Sequence, residues 1–432
     1  MRSHYSNEIT PELDKKSVTL AGWVHEIRDH GNLKFLILRD RGGTIQITAK
    51  KETTDKKVLD YFDKLTKESV VEINGVVKKD NKAPRGVEIV PKSISLIAES
   101  KSPLPLDVTG KVDADLDTRL NNRFMDLRKR EIAAIFKIRS KVQSSFREYF
   151  LNNGFFEINP PSIIVAASEG GTNLFPISYF EKEAYLAQSP QLYKQMMMAT
   201  GLDKVFITMP VFRAEPHHTT RHLNEVYQMD IERAFIKDEE DVLKDLEGVV
   251  QYILKKITED CSDELNTLKR KIEVPKLPFK RLTYDETLKI LEKNDLKIKW
   301  GEDLSPDAEK ILSDKIKIPF FIKHWPTKLR AFYSKPLDEN PEICHAFDLD
   351  YGAMELASGA QRIHDEAQLV EALKSRNLNS ENFEFYLKAF RYGMPPHGGW
   401  SIGAERITEV LTGVSNIREC VLYPRDRTRL AP

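Results

Sequence analysis

Five short segments rich in Val, Ile and Thr, separated by turn residues, follow one another between residues 17 and 100. They are residues 18–24, 35–38, 44–48, 70–77 and 87–97. Such segments predict β-strands, and a helical stretch near residues 55–66 interrupts them. Five strands with one helical insert in about 85 residues is the pattern of an OB-fold barrel, a small sheet closed on itself. We therefore predict that residues 1–104 form an OB-fold β-barrel.

A barrel of this kind can bind single-stranded nucleic acid by stacking bases on exposed aromatic side chains beside cationic ones. Phe35 follows the turn at Gly31, and Arg28 precedes that turn, so both are placed for such contacts. The alternative is that Phe35 belongs to the barrel core, and the pattern alone slightly favours that alternative.

The composition excludes several classes of protein. The 432 residues include 66 Lys and Arg against 66 Asp and Glu, and 41% are hydrophobic, so a disordered chain is excluded. Three Cys are too few for a disulfide scaffold. The start has no apolar leader segment, and no run of about 18 apolar residues occurs. We expect a soluble, cytoplasmic protein of two or three domains.

A larger region follows a linker that begins near Pro103 and covers residues 105–131. Apolar residues spaced three or four apart predict an amphipathic helix over 132–153, with Gly154 as its C-cap. Beyond the helix, strands and helices mix without regular βαβ alternation. The region 132–432 is therefore predicted to be an α+β domain on an antiparallel β-sheet flanked by helices.

Residues 204–236 give the strongest indication of a binding site. They read as two strands, 204–215 and 226–236, joined by a polar loop. Side chains alternate along a strand. The polar side chains that would lie on one face of each strand are Arg213, Glu215, Gln228, Asp230 and Glu232. Buried charge is costly unless it is paired or binds a ligand, so we predict a ligand site, with a solvent-facing hairpin as the alternative.

The loop between these strands also contains three His and Arg221. His218 and His222 could bind zinc, but the loop has no Cys and no further ligand set nearby. A zinc site is therefore the weaker interpretation of this loop.

Two further segments have a similar character. Residues 355–362 bring together Glu355, Ser358 and Arg362, and residues 395–399 form a predicted turn that leads into a helix carrying Arg406. Arginines suit an anionic ligand, and carboxylates suit Mg²⁺ or an ammonium group. A phosphate chain with its metal satisfies both, yet no GxxxxGK[ST] or GxGxxG motif is present, so a standard nucleotide-binding fold is excluded.

At these residues the sequence resembles the class II aminoacyl-tRNA synthetases, specifically the aspartyl-tRNA synthetases of the archaeal type. Motif 1 matches residues 132–161, motif 2 matches 204–236, and motif 3 matches 399–412. Residues 168–172 look like the family's flipping loop, and residues 188–195 like its aspartate-binding segment. The motifs are carried by Asn159-Pro160-Pro161, Phe212-Arg213-Ala214-Glu215 and Gly403-Ala404-Glu405-Arg406. The resemblance covers essentially the whole chain.

The resemblance implies a homodimer that joins L-aspartate to tRNA in two steps. An aspartyl-adenylate forms from ATP with Mg²⁺ and releases pyrophosphate, and the aspartyl group then passes to the tRNA 3′-terminal hydroxyl. The implied catalytic residues are Arg213, Glu215 and Arg406. The implied ATP-binding residues are Arg213, Ala214, Glu215, Arg221, His222, Leu223, Glu355, Gly403, Ala404, Glu405 and Arg406. Glu355 and Ser358 are the implied Mg²⁺ ligands.

The resemblance also implies how aspartate is selected. The implied aspartate-binding residues are Glu169, Ser189, Gln191, Lys194, Arg213, Asp230, Ser358 and Arg362. Arg362 and Lys194 would pair with the substrate β-carboxylate, and asparagine would leave at least one of these cations uncompensated. This disfavours an asparaginyl-tRNA synthetase, which shares the motifs. The other alternative, a non-catalytic tRNA- or single-strand-binding protein, is disfavoured because the arginines and Glu355 are intact.

The barrel would bind the tRNA anticodon through Arg28, Phe35 and Gln46. His25 and Pro84 match the relaxed version of the family, which charges both tRNA(Asp) and tRNA(Asn). Proline has no N–H to donate, so Pro84 removes a hydrogen-bond donor from the loop that would read the anticodon. The alternative is a strict enzyme in which both residues are ordinary loop positions.

Overall fold

The chain divides into two units, unit 1 (Met1–Arg130) and unit 2 (Glu131–Pro432). The computed structural model describes residues 2–165, 174–216 and 219–432. Among the described helices, none combines the length and the apolar character needed to cross a bilayer. The finer domain limits expected from the sequence, at residues 104 and 131, stay a prediction.

Alternating apolar residues close the first part of unit 1 into a barrel with the strand order β1-β2-β3-β5-β4. On β2, for example, Leu36 and Leu38 point inward and are fully buried. The strands are β1 (Ser17–Asp29), β2 (Leu33–Asp40), β3 (Gly43–Lys50), β4 (Val70–Lys79) and β5 (Val87–Ala98). Helix α1 (Lys56–Lys64) lies between β3 and β4, and α2 (Leu116–Asn121) and α3 (Arg123–Asp126) follow the barrel. The OB-fold prediction is confirmed.

Unit 2 is built on an eight-stranded sheet with the order β12-β13-β14-β15-β16-β11-β10-β6. Strand pairs are antiparallel except for β10 with β6 and β12 with β13. The strands are β6 (Phe156–Glu157), β10 (Lys204–Phe212), β11 (Glu225–Ala234), β12 (Lys280–Thr283), β13 (Phe320–Lys323), β14 (Ala346–Asp350), β15 (Glu355–Gln361) and β16 (His397–Gly403). A small sheet contains β7 (Ile163–Ile164), β8 (Pro176–Tyr179) and β9 (Lys182–Leu186). The predicted α+β fold is confirmed.

Helices cover one face of the large sheet and leave part of the other face open. The core on the covered face contains residues from α4, α6 and α12 together with Met229, Ile231 and Trp400. Trp400 is fully buried, and its Nε1 donates to the Val242 carbonyl at 2.9 Å. The helices are α4 (Arg130–Asn152), α5 (Gln191–Met197), α6 (Glu239–Asp260), α7 (Ser262–Thr267), α8 (Tyr284–Glu292), α9 (Pro306–Ile316), α10 (Glu366–Lys374), α11 (Glu384–Arg391) and α12 (Ala404–Thr412).

Two element boundaries differ from the sequence prediction. β10 ends at Phe212 rather than at residue 215, because Asn224 closes the loop at that point: its side-chain amide donates to the Arg213 and Glu215 carbonyls. Residues 397–399 belong to strand β16 instead of a turn. A Cβ on Gly399 would lie 2.2 Å from the Ile231 carbonyl oxygen, so glycine allows β16 to approach β11 closely.

The three cysteines all lie in unit 2 as free thiols, and each is buried. Burial raises the pKa of Cys261 and of Cys344 to about 11, and it also raises the pKa of Cys420. None of the three is therefore a reactive thiolate in the folded chain.

Candidate active site

The open face of the large sheet carries a cavity of about 350 Å³. The predicted site residues that line this cavity are Ser189, Gln191, Arg213, Glu215, Arg221, His222, Leu223, Asp230, Glu355, Ser358, Arg362, Gly403, Glu405 and Arg406. The predicted site residues Lys194, Ala214 and Ala404 are described but do not line this cavity. Glu169 lies outside the described residues, as do His217 and His218.

A row of small and acidic side chains crosses four strands beneath the cavity. Asp348 on β14 pairs with Ser358 on β15, which pairs with Ser401 on β16, which pairs with Asp230 on β11. Directly opposed residues in a sheet point to the same face. The short serine side chains leave open space between two carboxylates, and this space forms the middle of the cavity.

Two buried ion pairs lie at the β11 side of the cavity. Arg362 is 4% exposed, and its Nε and Nη2 bind the Glu232 carboxylate at 3.0 and 3.4 Å. Lys194 is fully buried, and its Nζ lies 2.8 Å from Asp230 Oδ2 and 3.5 Å from Glu232 Oε2. Ser401 Oγ donates to the other oxygen of Asp230 at 2.6 Å. Asp230 is thus fixed from two sides, with Lys194 beneath it.

Glu232 and Arg362 stay ionised despite their burial. Burial by itself would raise the pKa of Glu232. The charges of Arg362 and Lys194 lower this pKa by more than burial raises it, so the net shift is downward. Burial by itself would lower the pKa of Arg362, but Glu232 raises it above its ordinary value. Arg362 reaches the cavity wall, and in the described part of the chain its Nη1 has no hydrogen-bond partner. A buried cation therefore presents one free donor to the cavity.

A chain of hydrogen bonds orients Gln191. His397 is fully buried, which lowers its pKa to about 4, so the ring is neutral at pH 7. Its Nδ1 donates to the Pro395 carbonyl at 2.9 Å, and its Nε2 accepts from Gln195 at 3.0 Å. Gln195 in turn accepts from Gln191 Nε2 at 2.8 Å. The Gln191 carbonyl oxygen remains available as an acceptor at the cavity wall.

Arg213 and Glu215 lie at the end of β10 rather than on the strand itself. The Arg213 amide donates to the Asn224 carbonyl at 2.8 Å, which continues the strand pairing by one residue. Within the ranges that the structure describes, the Arg213 guanidinium has no hydrogen-bond partner, although it lines the cavity. The arrangement presents an uncompensated cation where a phosphate could bind.

The remaining predicted phosphate ligands are already paired with acids. Arg221 Nη1 lies 3.1 Å from the Glu309 carboxylate on α9, and Arg406 Nη1 lies 3.4 Å from the Glu355 carboxylate and also donates to the Glu355 backbone carbonyl at 2.8 Å. Glu405 is 2% exposed and accepts from Arg139 at 2.6 Å and from the Tyr227 amide at 3.1 Å. Its carboxylate therefore fastens the start of α12 to α4 and β11, although it also borders the cavity.

Sequence reasoning missed an acidic group at the far side of the row. Burial raises the pKa of Asp348 to about 6 and that of Asp350 well above its ordinary value, and the nearby Glu355 adds to both shifts. Arg330 offsets part of this charge: its Nη1 lies 3.0 Å from Asp348 Oδ1 and 3.3 Å from Ser358 Oγ. Asp350 Oδ2 has no partner among the described residues. Short-range sequence motifs give no signal for Arg330 or Asp348.

In unit 1, the residues predicted to contact the anticodon lie together on the outer face of the barrel. Arg28 on β1 is directly opposite Phe35 on β2, and Gln46 on β3 is opposite Ile37, two residues along β2. Phe35 is half-exposed and packs edge-to-face on His30, so it is not a core residue. The core alternative for Phe35 is therefore wrong.

His25 and Pro84 lie at irregular points of the barrel. His25 is the extra residue of a β-bulge between Val24 and Glu26, and its Nδ1 lies 3.1 Å from Arg39 Nη1. Pro84 is exposed and begins a short 3₁₀ turn. A bulge re-aims a side chain that a regular strand would direct elsewhere.

Comparison with known proteins agrees with this architecture. Residues 115–427 match the family described as tRNA synthetases class II (D, K and N), and residues 18–97 match the OB-fold nucleic acid binding domain. The Aspartate--tRNA(Asp/Asn) ligase of Methanothermobacter thermautotrophicus is 52% identical over 100% of this chain and 98% of the relative. The Aspartate--tRNA(Asp) ligase of Pyrococcus furiosus is also 52% identical, over 100% of both chains.

Solved structures show the same fold. The asparaginyl-tRNA synthetase from Pyrococcus horikoshii, complexed with asparaginyl-adenylate, superposes with a TM-score of 0.94 at 32% identity over 99% of each chain. The match extends over both the barrel and the sheet with its cavity. The chain belongs to the class II tRNA synthetases of the D, K and N group.

Proposed function

We propose that this chain is an aspartate–tRNA ligase. It activates L-aspartate with ATP to aspartyl-adenylate and pyrophosphate, and it then transfers the aspartyl group to the 3′-terminal hydroxyl of tRNA. The observation that carries the proposal is Arg362, a buried guanidinium with one free donor at the cavity wall. The relatives at 52% identity, which are named as aspartate ligases, support the same amino acid.

The charges around Arg362 favour aspartate over asparagine. Arg362 would receive the substrate β-carboxylate through its free Nη1, whereas an amide would leave that cation partly unpaired. Asp230, Ser189 and the Gln191 carbonyl are acceptors for the substrate ammonium group. Lys194 would act through Asp230, which it holds at 2.8 Å, rather than by touching aspartate. A site built from buried polar groups can reject a mismatched analogue by about 10⁴-fold or more.

ATP would bind across the rest of the cavity. Arg213 would contact the α-phosphate, where negative charge grows as the aspartate α-carboxylate attacks. Arg221 and Arg406 would exchange their present acidic partners for the outer phosphates, while Glu215, His222 and Leu223 would border the adenine. No nucleophilic side chain is needed, because the substrate carboxylate is already ionised.

The acidic end of the cavity fits Mg²⁺. Glu355 and Ser358 would hold the ion, and Asp348 supplies a third oxygen ligand in line with Ser358. Oxygen donors of this kind are those that Mg²⁺ prefers. The unpartnered Asp350 oxygen and the raised pKa of Asp348 are consistent with a place where a cation would relieve carboxylate repulsion. The ion would neutralise charge on the phosphates.

Amino-acid-dependent exchange of labelled pyrophosphate into ATP tests the activity. We expect exchange with aspartate and little with asparagine. Exchange driven equally well by asparagine would contradict the aspartate assignment. A complete absence of exchange with every amino acid would indicate a non-catalytic RNA-binding protein.

We further propose that the barrel binds the anticodon and that the enzyme charges both tRNA(Asp) and tRNA(Asn). Phe35 would stack on a base, with Arg28 and Gln46 beside it. The similar relatives carry both names, Asp and Asp/Asn, so the range of tRNA must be argued from this chain's residues. Pro84 supports the wider range because it offers no backbone donor to a base, and the His25 ring is engaged with Arg39.

Parallel charging of the two tRNA transcripts tests this range. We expect both to be aminoacylated, and Pro84→Lys should lower charging of tRNA(Asn) more than that of tRNA(Asp). Lys82→Ala, a change at an exposed neighbour in the same loop, is the matched control. A preference of the parent enzyme for tRNA(Asp) above about a hundredfold, which is about 2.7 kcal/mol and so near the upper end of the 1–3 kcal/mol of one base contact, would contradict the proposal.

We also propose a cytoplasmic homodimer. A groove beside α4 is lined by Phe136, Arg139 and Tyr227, and the neighbouring Leu422 and Tyr423 are each 45% exposed. Burial of these apolar side chains in a symmetric interface would explain their exposure on the single chain. Sedimentation equilibrium of the parent and of Tyr423→Asp should show a dimer and a weakened dimer, respectively.

A further inference from the structure

A carboxylate with two histidines lies on the covered side of the large sheet, away from the cavity. Glu239 begins α6, His324 directly follows β13, and His345 directly precedes β14. Because β13 and β14 are antiparallel neighbours, the residue after one strand and the residue before the other fall at the same edge of the sheet. Among the described residues, this is the group of three whose possible metal-ligand atoms all lie within 4.8 Å of one another.

The two histidines contact the two oxygens of the Glu239 carboxylate. His324 Nε2 lies 3.2 Å from one Glu239 oxygen, and His345 Nδ1 lies 2.7 Å from the other. The two imidazole rings are perpendicular, with an interplanar angle of 88°. His324 has a φ of 59°, a left-handed conformation that a non-glycine residue adopts only where its surroundings hold it.

The burial of these residues suits an ion that enters from solvent. The Glu239 side chain is 5% exposed, whereas those of His324 and His345 are 31% and 21% exposed. The two histidines therefore form the solvent-facing side of the cluster, and the carboxylate forms its buried side.

We propose that Glu239, His324 and His345 form a binding site for a divalent transition-metal ion, with zinc as the best fit. Two imidazoles and one carboxylate with an open fourth position are a ligand set that zinc uses, whereas Mg²⁺ prefers oxygen ligands alone. The ion would tie the start of α6 to the adjacent ends of β13 and β14. This site is separate from the aminoacylation cavity and does not depend on it.

Lys323 is the competitor for this position. Its Nζ lies 2.8 Å from Glu239 Oε1, and it also contacts the Glu240 carboxylate, which Arg281 binds as well. Lys323 can therefore stay with Glu240 when Glu239 turns to a metal. If the cluster binds a metal, removal of the Lys323 ammonium should strengthen metal binding. If the cluster is only an ion-pair network, the same change should only weaken that network.

Titration of the chelator-treated full chain with Co²⁺ and Zn²⁺, in excess Mg²⁺, tests the proposal. We expect one equivalent of Co²⁺ to give the visible absorption of a four-coordinate ion and Zn²⁺ to displace it. His324→Ala and His345→Ala should each weaken binding by about tenfold or more. Lys323→Met should tighten it by about fivefold or more, because a like charge is removed. His4→Ala, outside the cluster, should leave it unchanged.

Thermal unfolding of the same proteins gives an independent readout. Zinc should raise the unfolding temperature of the parent and of Lys323→Met but not that of the two histidine variants. Binding that is equal in the parent and in both histidine variants would place the ion elsewhere and overturn the proposal. If the parent binds the metal no more tightly than His345→Ala does, the three residues are only an ion-pair network. That result would also overturn the proposal.

Discussion

Four buried charged side chains form one ion-paired group beside the cavity, and their charges sum to zero when all are ionised. They are Lys194, Arg362, Asp230 and Glu232. Buried ions are tolerated when they are paired and hydrogen-bonded. The two cations of this group are already paired with its two carboxylates. A ligand carboxylate therefore needs a hydrogen-bond donor that is still free. Under the proposed function Arg362 Nη1 would be that donor, so the choice of amino acid would depend on one nitrogen atom of this group.

We expect Arg362→Gln to lose aspartate activation by about 2–5 kcal/mol, because truncation leaves Glu232 buried with one partner fewer. ATP affinity should change little, since the phosphates would bind elsewhere in the cavity. Aspartate-dependent pyrophosphate exchange and nucleotide titration measure the two effects. Arg391→Gln, which removes an arginine from surface pairs with Glu366 and Glu384, is the control. An exchange rate within threefold of the parent would remove Arg362 from the pocket.

The sequence predicts some of these residues better than others. Ser358 and Arg362 are four residues apart, so the alternation of side chains predicts that they share a face, whereas Glu355 joins that face through the register shift between Leu349 and Asp350. Arg330 follows a short 3₁₀ turn and Asp348 lies on β14, so the tertiary fold brings them together and no short motif relates them. The sequence predicts that Lys194 contacts the substrate, and this stays a prediction. The pairing of Lys194 with Asp230 follows from the packing of α5 on the sheet, which a one-dimensional pattern does not contain.

At the level of elements, the site depends on how closely β16 approaches its neighbours. Gly399 pairs with Glu232 on β11 and with Ala360 on β15. Added methyl groups here would occupy the space that Glu232 and Arg362 need. Glycine in a strand interior commonly marks such a close approach. Consecutive glycines usually indicate a turn, so the sequence predicts one here. The close packing that favours glycine in this strand is a tertiary effect that the sequence pattern does not contain.

Gly399→Ala should destabilise unit 2 and weaken aspartate binding. The new Cβ would lie 2.2 Å from the Glu232 Oε2 and from the Ile231 carbonyl oxygen, so backbone or ion pair must shift. We expect a loss of about 1–3 kcal/mol in the free energy of unfolding, as for other overpacked sites. Gly201→Ala is the matched control, because no atom lies within 4 Å of its added Cβ. Equal unfolding curves for the two variants would contradict this account of β16.

At the scale of the whole molecule, the proposed function assigns amino-acid activation to unit 2 and anticodon binding to unit 1. The sequence predicted both folds, because apolar alternation in the barrel and the helical period of α4 are local patterns. We expect residues 105–432 alone to keep aspartate-dependent pyrophosphate exchange and to charge tRNA poorly, since they lack the stacking surface of Phe35. A stacked base is worth about 1–3 kcal/mol. Full-length Phe35→Ala should share the charging defect. Equal charging by all three proteins would contradict the anticodon assignment.

Unit 1 should also have an acid sensitivity of its own. Burial by itself would raise the pKa of Glu68, but His25, Arg39 and Arg128 lower it to about 2. A lowered carboxylate pKa stabilises the fold above the ordinary pKa, and this stabilisation is lost as the pH falls from about 4.5 to about 2. The shift corresponds to about 3 kcal/mol at neutral pH.

Hydrogen exchange of barrel peptides in urea, measured at several pH values, tests this sensitivity. The parent should lose protection on acidification, whereas Glu68→Gln should be weaker at pH 7 and lose less on acidification. Asp60→Asn, at an exposed position of α1, is the control. A pH profile of Glu68→Gln parallel to that of the parent would show that Glu68 does not cause the effect.

The burial of the three thiols has a practical consequence for following this enzyme. Cys261, Cys344 and Cys420 lie in different parts of unit 2, and unit 1 has no cysteine. A thiol reagent can therefore reach the chain only where unit 2 opens. The labelling rate of each cysteine would report the opening of the structure around that cysteine. The barrel would contribute no signal, because unit 1 has no thiol. Bound ATP and aspartate should slow labelling by the degree to which they hold unit 2 closed, so occupancy could be followed without a catalytic assay.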